Sequence, residues 1–339
     1  MPPPHPMSPE RAGIQALLSR HFAGDAVDSA GVRVDGPTRI GRYSRIYRAQ
    51  VPGLPTPLAV KCLLDPATGG PDHSSARDQF DVLGRVHRAM AETDRALRVP
   101  KPYLLDEDSG IVAVEWVDGR PMTELFLTRN LTLAQGTDLV RRAAAWIRRF
   151  FALRPLPPAP LDIGRMLDDI SAMAQTPLGG SSSARAAFAE LRKHANAVGT
   201  FLVERSWLHG DFKSDNLLVD DAALVGIDVH ARHENAVLHD VASFVDHWEL
   251  TLCDPRAWRW RPHREALIGA FLDAFDPALR TDRRLPFQWV ALYGMLGIWE
   301  EFTRRRQRTL RHVYLAACFR QRVRRMTREL ADTARELPR

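Results

Sequence analysis

The strongest constraint on the fold is a change of sequence pattern near Pro121. Before this residue, short runs of β-branched and apolar residues alternate with turn signals, at 32–34, 45–51, 58–64, 103–105 and 111–117. After it, apolar residues recur at helical spacing along most of the chain. Strands grouped before a long helical part predict an α+β fold rather than alternating strand and helix units.

The pattern also predicts how the chain is divided. The five runs predict an antiparallel five-stranded sheet, and the spacing of Phe80, Leu83, Val86 and Met90 predicts one amphipathic helix within that part. Later helices are expected at 139–151, 184–203, 266–275, 287–302 and 310–330, interrupted only by a strand pair near 217–227. We therefore expect an N-terminal tail and leading helix over 1–30, a nucleotide-binding sheet over 31–118 and a helical part over 119–339.

Charge and composition narrow the class of protein only in part. The net charge of +6 favours anionic partners, and a nucleotide alone would satisfy it, so no nucleic acid is expected. The three cysteines are scattered, which argues against a disulfide framework or a cysteine zinc site. No apolar run approaches membrane-spanning length, so we predict a cytoplasmic protein with no membrane span.

Two short motifs carry oxygen ligands at a defined spacing. Residues 208–216 read LHGDFKSDN, with Asp211 five positions before Asn216. A strand, a turn and a second strand are expected next, and Asp228 follows the second strand in the sequence Ile-Asp-Val. Carboxylate and amide oxygens are the hard ligands that Mg²⁺ prefers. The order and spacing of the two motifs together are far more specific than either one alone.

These motifs resemble the catalytic loop of aminoglycoside phosphotransferases, choline kinases and related small-molecule kinases, which have a two-lobed, protein-kinase-like fold. The resemblance implies that Asp211 orients the acceptor hydroxyl or takes its proton, and that Asn216 and Asp228 bind Mg²⁺. Lys213 would neutralise the transferring phosphoryl group, although a solvated loop lysine accounts for it equally well. His209 and Asp240 resemble residues with structural roles, the latter a brace for the loop.

The first part of the chain offers candidate ATP contacts. Lys61 lies in an apolar strand, where an ammonium group needs a partner, and the resemblance implies that ATP phosphates supply it. The helix position where the family has a glutamate partner holds Gln79, flanked by Asp78 and Asp81, and the sequence does not decide among the three. Gly41 and Ser44 would form a loop over the phosphates, but an ordinary hairpin turn explains them as well.

The predicted activity is ATP- and Mg²⁺-dependent phosphoryl transfer to a hydroxyl group of a small molecule, such as a sugar, an amino sugar or an aminoglycoside-like compound. The acceptor itself is not encoded in any motif. Polar and aromatic residues of the helical part are its candidate contacts: His230, Arg232, Glu234, Asp246, Trp248, Glu249, Trp299, Glu300 and Glu301. Two alternatives are a protein kinase and a catalytically silent nucleotide-binding scaffold, the second because Gln79 replaces the expected glutamate.

Overall fold

The computed structural model describes residues 8–23, 31–41, 43–92, 96–128, 131–220, 222–230, 233–304 and 309–336. Most of the predicted N-terminal tail lies outside these ranges. The chain divides into two compact units, residues 1–119 and 120–339. The three-part division expected from the sequence stays a prediction. Within the described ranges, no helix combines the length and the apolar character needed to cross a bilayer.

The first unit is built on one antiparallel sheet. Its elements are α1 (Pro9–Ala23), β1 (Arg33–Ile40), β2 (Ser44–Gln50), β3 (Leu58–Leu63), α2 (His73–Ala91), β4 (Leu97–Arg98), β5 (Pro102–Asp106) and β6 (Ile111–Glu115). The five-stranded sheet has the order β1-β2-β3-β6-β5, with every neighbouring pair antiparallel. The predicted five-stranded antiparallel sheet with one helix following its third strand is therefore confirmed.

The larger of two hydrophobic clusters in the first unit lies on one face of this sheet, and the smaller one joins Leu63 and Val112 to Ala76 of α2. Alternate side chains of β3, including Val60 and Cys62, are buried in the larger cluster beside Tyr47 of β2. The leading helix α1 packs on the same face through Ile14 and Leu18. Because side chains alternate along a strand, Lys61 points to the face opposite Val60 and Cys62.

The second unit is mainly helical, as predicted. Its helices are α3 (Met122–Thr128), α4 (Leu133–Ala152), α5 (Ile163–Ala174), α6 (Ser182–Val198), α7 (Leu238–Thr251), α8 (Arg264–Phe275), α9 (Arg284–Arg304) and α10 (Leu310–Glu336). Its strands are β7 (Arg120–Pro121), β8 (Leu156–Pro160), β9 (Leu202–Trp207), β10 (Leu217–Val219), β11 (Leu224–Gly226) and β12 (Glu234–Ala236). The mixed α+β architecture with a helical C-terminal part is confirmed.

The predicted end of the helix over 184–203 is wrong, and the sequence pattern did not predict the small sheet formed by β8, β9 and β12. The helix expected to reach Val203 stops at Val198, and Gly199 forms its C-cap. The next segment is β9, which pairs antiparallel with β8 on one side and with β12 on the other. The apolar residues of β9 extend the apolar pattern of α6, so periodicity alone did not separate the two elements.

A line of stacked aromatic rings runs through the second unit. Trp146 of α4 stacks on Phe212 at 5.8 Å, Phe212 on Phe244 of α7 at 5.2 Å, and Phe244 on Phe271 of α8 at 4.3 Å. All four side chains are buried. Because Phe212 follows Asp211 in the chain, this packing anchors the loop predicted to be catalytic between three helices.

We predict that Gly226→Ala destabilises the protein. A Cβ atom at Gly226 would lie 2.1 Å from Cζ2 of Trp146, so the buried indole would have to move. Overpacking of this kind costs about 1–3 kcal/mol in free energy of unfolding, measurable by chemical denaturation. Gly297→Ala in α9 is the matched control, since its Cβ meets nothing within 4 Å and alanine favours a helix. Equal stability of the two variants would contradict this packing.

Candidate active site

The loop of residues 208–216 connects β9 to β10 in the second unit. Leu208 at its start donates from its backbone N–H to the carbonyl of His233, which continues the pairing of β9 with β12. Gly210 has a φ of +85°, a conformation that glycine adopts without steric cost. A 3₁₀ turn over Ser214–Asn216 ends the loop. These features reverse the chain and present Asp211 just after the glycine.

Three of the predicted site residues meet at the Asp211 carboxylate. Lys213 Nζ donates to Oδ1 at 2.8 Å and to Oδ2 at 2.6 Å. Asn216 Nδ2 donates to the same Oδ2 at 2.8 Å and to the Asp211 carbonyl at 2.9 Å. The carboxylate is thus held in one orientation by a cation and an amide. Because the side-chain nitrogen of Asn216 faces Asp211, the side-chain oxygen of Asn216 points away from that carboxylate.

Asp228 lies beside Asn216 at the open end of a hairpin. Leu217 of β10 pairs with Gly226 of β11, and the Ile227 N–H donates to the Asn216 carbonyl at 2.9 Å. Asp228 follows at once with a φ of +57°, a left-handed conformation that aspartate tolerates better than most residues. An amide oxygen and a carboxylate at the end of one hairpin are a donor set that fits Mg²⁺ when phosphate oxygens complete the shell.

Asp240, in the first turn of α7, braces the loop of residues 208–216. Its Oδ2 accepts the backbone N–H of His209 at 2.5 Å, and its Oδ1 accepts that of Gly210 at 3.1 Å. The side chain is almost fully buried, and burial raises its pKa to about 7, against the opposing effect of the two N–H groups. These bonds are the ones expected of a carboxylate with a structural role.

His209 is enclosed by aromatic rings. Its ring lies 5.7 Å from Trp146, 6.2 Å from Phe150 and 5.7 Å from Phe212, and Nδ1 accepts the Asp211 N–H at 3.4 Å. Burial, the largest effect, lowers the pKa of His209 to about 4. The ring is therefore neutral at pH 7, and its place in the core is that of a structural residue.

The predicted nucleotide contacts all lie in the first unit. Lys61 is half-buried in the central strand β3, between Ile46 of β2 and Val112 of β6. Gln79 lies on α2, and its Oε1 is buried without a hydrogen-bond donor among the described residues. The choice of Lys61 partner among Gln79, Asp78 and Asp81 stays open.

Gly41 and Ser44 form the turn between β1 and β2. The Gly41 N–H donates to the Ser44 carbonyl at 2.8 Å, and Ser44 opens β2 opposite Leu63 of β3. The Gly41 amide is therefore used within the hairpin itself. This geometry favours the ordinary hairpin turn that the sequence left as an alternative, while a phosphate contact from either residue stays a prediction.

Most of the candidate acceptor residues serve other purposes. Trp248 packs on Phe126, Trp299 stacks on Phe319, Glu234 pairs with Arg154, and Glu300 pairs with Arg304. Asp246 and Glu249 are buried, and burial raises the pKa of each. Arg232 lies outside the described residues. Two of the set are linked to the loop of residues 208–216: His230 donates from its backbone N–H to the His209 carbonyl at 3.0 Å, and Glu301 acts electrostatically on His247.

His247 is a candidate site residue that the sequence motifs did not indicate. Burial lowers its pKa, and the charges that act on it are those of Lys213, Asp211, Asp215 and Glu301. It therefore lies close to the catalytic loop and to the end of α9. The spacing in the sequence could have indicated it, because His247 lies seven residues after Asp240, two helical turns along the same face of α7.

Comparison with known proteins now decides the family. The model of the phosphotransferase enzyme family matches residues 65–275, more than half of the 339 residues. The chain belongs to the phosphotransferase enzyme family. The matched range of this phosphotransferase contains Asp211, Asn216 and Asp228 and begins after Lys61. The predicted enzyme class, a kinase-type phosphotransferase that acts on hydroxyl groups, is confirmed by this membership. No curated protein matches the chain.

Solved structures share the fold of the phosphotransferase at low sequence identity. A choline/ethanolamine kinase family protein from Mesorhizobium loti is 15% identical over 94% of this chain and 96% of its own, with a TM-score of 0.57. A macrolide 2′-phosphotransferase from Brachybacterium faecium is 12% identical over 94% and 97%, with a TM-score of 0.54. An amicoumacin kinase, solved with AMP-PNP and Ca²⁺, is 12% identical over 94% of each chain, with a TM-score of 0.56. The predicted kinase-like fold is confirmed.

The buried state of His209 predicts a pH dependence of stability. Its pKa is about 4 in the folded protein against an ordinary value of 6.5, so on acidification the unfolded chain takes up the proton first. Stability is therefore lost as the pH falls from 6.5 towards 4. Between pH 7 and pH 4.5 this residue should cost about 2–3 kcal/mol in free energy of unfolding.

The matched variant is His209→Phe, which keeps an aromatic ring and removes the titrating group. Denaturant unfolding of both proteins at pH 7 and pH 4.5 separates this effect from all other titrations, since those are shared. The wild-type protein should lose more stability than the variant over this range. Parallel losses in the two proteins would show that His209 is not buried in its neutral form.

Proposed function

We propose that this phosphotransferase transfers the γ-phosphoryl group of ATP, with Mg²⁺, to a hydroxyl group of a small molecule. The observation that carries the proposal is the Asp211 carboxylate, fixed between Lys213 and Asn216 on a loop that Asp240 holds by two backbone hydrogen bonds. A base fixed in this way is positioned before the substrate arrives, which is the main protein contribution to phosphoryl transfer.

The proposed step balances in atoms and charge. The acceptor oxygen forms a bond to the γ-phosphorus, the bond from that phosphorus to the bridging oxygen breaks, and ADP leaves. Asp211 orients the hydroxyl and takes its proton. Lys213, 2.6 Å from the Asp211 carboxylate, places a positive charge beside the base and offsets the negative charge that gathers during transfer.

Asn216 and Asp228 would hold the metal ion. The Asn216 nitrogen is committed to Asp211, so the amide oxygen is the atom available as a ligand, and Asp228 adds a carboxylate from the same end of the hairpin. When bound, Mg²⁺ neutralises the phosphate charge. The amicoumacin kinase solved with AMP-PNP and Ca²⁺ supports the use of a nucleotide and a divalent ion by this fold.

Lys61 would bind the ATP phosphates. Lys61 is half-buried in the central strand β3, and the sequence Ala-Val-Lys resembles the strand lysine that contacts the ATP phosphates in protein kinases. Gly41, Ser44 and Gln79 belong to the same nucleotide proposal with weaker support, since the Gly41 amide is already used in the hairpin. A cytoplasmic location completes the proposal, because MgATP is available there.

The acceptor class is proposed only as a small hydroxyl compound. The structural neighbours are named for acceptors as different as choline or ethanolamine, a macrolide and amicoumacin, so they do not select one. The proposed acceptor contacts are His247, which lies close to the charges of Asp211 and Lys213, and Glu301, which lies close to His247. The alternative of a catalytically silent scaffold is tested by measuring ATP turnover with a panel of such compounds.

Asp211→Asn should abolish turnover. The substitution keeps the shape of the side chain and removes the base, so ATP consumption should fall at least about a hundredfold. The assay is ADP release with Mg²⁺ across a panel of aminoglycosides, sugars, choline analogues and nucleosides. Asp215→Asn is the matched control, an exposed carboxylate of the same loop whose loss should leave most of the activity.

Calorimetry with MgATP accompanies this assay and should show nearly unchanged nucleotide binding by Asp211→Asn. Full activity of the variant with any acceptor would overturn the role of Asp211. If the wild-type protein binds MgATP but turns over no member of the panel, the silent scaffold becomes the better account.

Asp228→Asn should weaken metal binding selectively. Replacing a carboxylate ligand by an amide removes one negative charge from the metal site, so the Mg²⁺ concentration for half-maximal turnover should rise at least about tenfold. ATP binding measured without divalent ions should match that of the wild-type protein. An unchanged Mg²⁺ requirement would show that Asp228 is not a ligand.

A further inference from the structure

A cavity of about 400 Å³ lies within the second unit, among helices α7, α8, α9 and α10. Part of its wall is apolar and includes Leu279, Phe287 and Met326. The rest carries an unusual number of cations, since four arginines line it: Arg264, Arg280, Arg284 and Arg322. Among the residues that the structure describes, two acidic ones, Glu265 and Glu329, line the same cavity.

The cavity is separate from the proposed active site. Val245 of α7 lines the cavity, whereas His247, two residues later, lies close to the charges of the catalytic loop. Two residues correspond to a rotation of about 200° around an α-helix, so the two side chains point to nearly opposite faces of α7. The cavity thus lies on the opposite side of α7 from His247, the proposed acceptor contact.

Positive charge is in excess at the inner end of the cavity. Three guanidinium groups converge on the buried carboxylate of Glu249: Arg264 through Nε at 2.5 Å, Arg325 through Nη2 at 2.8 Å, and Arg322 through Nη1. Glu249 neutralises only one of these three cations. The further acidic partners are Glu265 for Arg264 and, at 3.7 Å, Glu329 for Arg325; their side chains are 82% and 37% exposed, so solvent screens their charges.

One of these arginines has an unsatisfied donor. The Arg322 side chain is only 7% exposed, and among the described residues its Nε finds no hydrogen-bond acceptor. A buried cationic N–H without an acceptor is costly. Since Arg322 lines the cavity, an anionic group bound there would supply the missing acceptor and part of the missing negative charge.

The other two arginines lie nearer to solvent. Arg280 lies close to Gly269 of α8, because a Cβ on that glycine would meet Nη1 at 3.1 Å. Arg280 pairs with Asp273, and Arg284 pairs with Glu336 at 3.7 Å, in both cases through substantially exposed side chains. Exposed pairs of this kind contribute little stability, so these cations are able to exchange a protein partner for a ligand.

We propose that this cavity binds an organic anion, with a phosphate or carboxylate group at Arg322, Arg264 and Arg284 and an apolar portion against Leu279, Phe287 and Met326. The proposal is independent of the phosphotransfer reaction and of its acceptor. The chemical class follows from the wall itself, which offers guanidinium groups for an anionic head and aliphatic and aromatic carbon for the remainder.

The test is titration calorimetry of the full chain with phenyl phosphate, in the presence of saturating MgATP so that the active site is occupied. Saturable binding is expected, and benzyl alcohol, which lacks the anionic group, should not bind. Arg284→Gln should weaken binding about tenfold through the loss of one charge-assisted contact. Arg283→Gln is the matched control, since Arg283 pairs with Asp276 and Glu204 and is not part of the cavity wall.

A second variant tests the cavity by volume instead of charge. Ala291→Phe places a ring in the space that the ligand would occupy, so it should abolish binding of phenyl phosphate. Arg284→Gln keeps the proposal testable if this larger side chain prevents folding. Absence of saturable binding to the wild-type protein, equal affinity of Arg284→Gln and wild type, or displacement of the bound anion by MgATP would each overturn the site.

Discussion

The pair of hydrogen bonds from Asp240 to the loop backbone is the interaction on which the active part of the molecule depends. The carboxylate accepts the N–H groups of His209 and Gly210, which immediately precede Asp211. Because the donors are backbone groups, the bonds fix the course of the chain rather than one side chain. The backbone of Asp211 is therefore held in a defined position, and Lys213 and Asn216 hold its carboxylate in a defined orientation.

The loop is also fixed from its apolar side. Phe212 enters the aromatic stack between Trp146 and Phe244, and His209 lies against the same rings in its neutral form. Asp211 and Lys213 are partly exposed, whereas Phe212 between them is buried, an alternation like that of a strand. Such a loop needs little conformational reorganisation when substrates bind, and catalysis by positioning and charge neutralisation requires this.

Much of the fold of the first unit and of the candidate site was predictable, because the residues that determine them are close together in the sequence. The five strands of the sheet in the first unit are short runs of β-branched and apolar residues between turn signals, and the motif from Leu208 to Asn216 places its functional groups within nine residues. The rest depends on contacts between distant segments. The pairing of β9 with β8 and β12, the proximity of His247 to Lys213, and the convergence of Arg264, Arg322 and Arg325 on Glu249 have no signature within a short window. At Gly41 the local sequence allowed either a phosphate-binding loop or an ordinary hairpin turn. The hydrogen bond from the Gly41 N–H to the Ser44 carbonyl favours the hairpin turn.

Phosphorus NMR of the protein with MgATP and a mixture of small hydroxyl compounds tests the central claim most directly. The account predicts that a phosphomonoester signal grows at the same rate as the ADP signals, with one phosphoryl group transferred for each ATP consumed. Bound but unchanged ATP in the presence of every hydroxyl compound, or release of inorganic phosphate without any phosphomonoester, would contradict it.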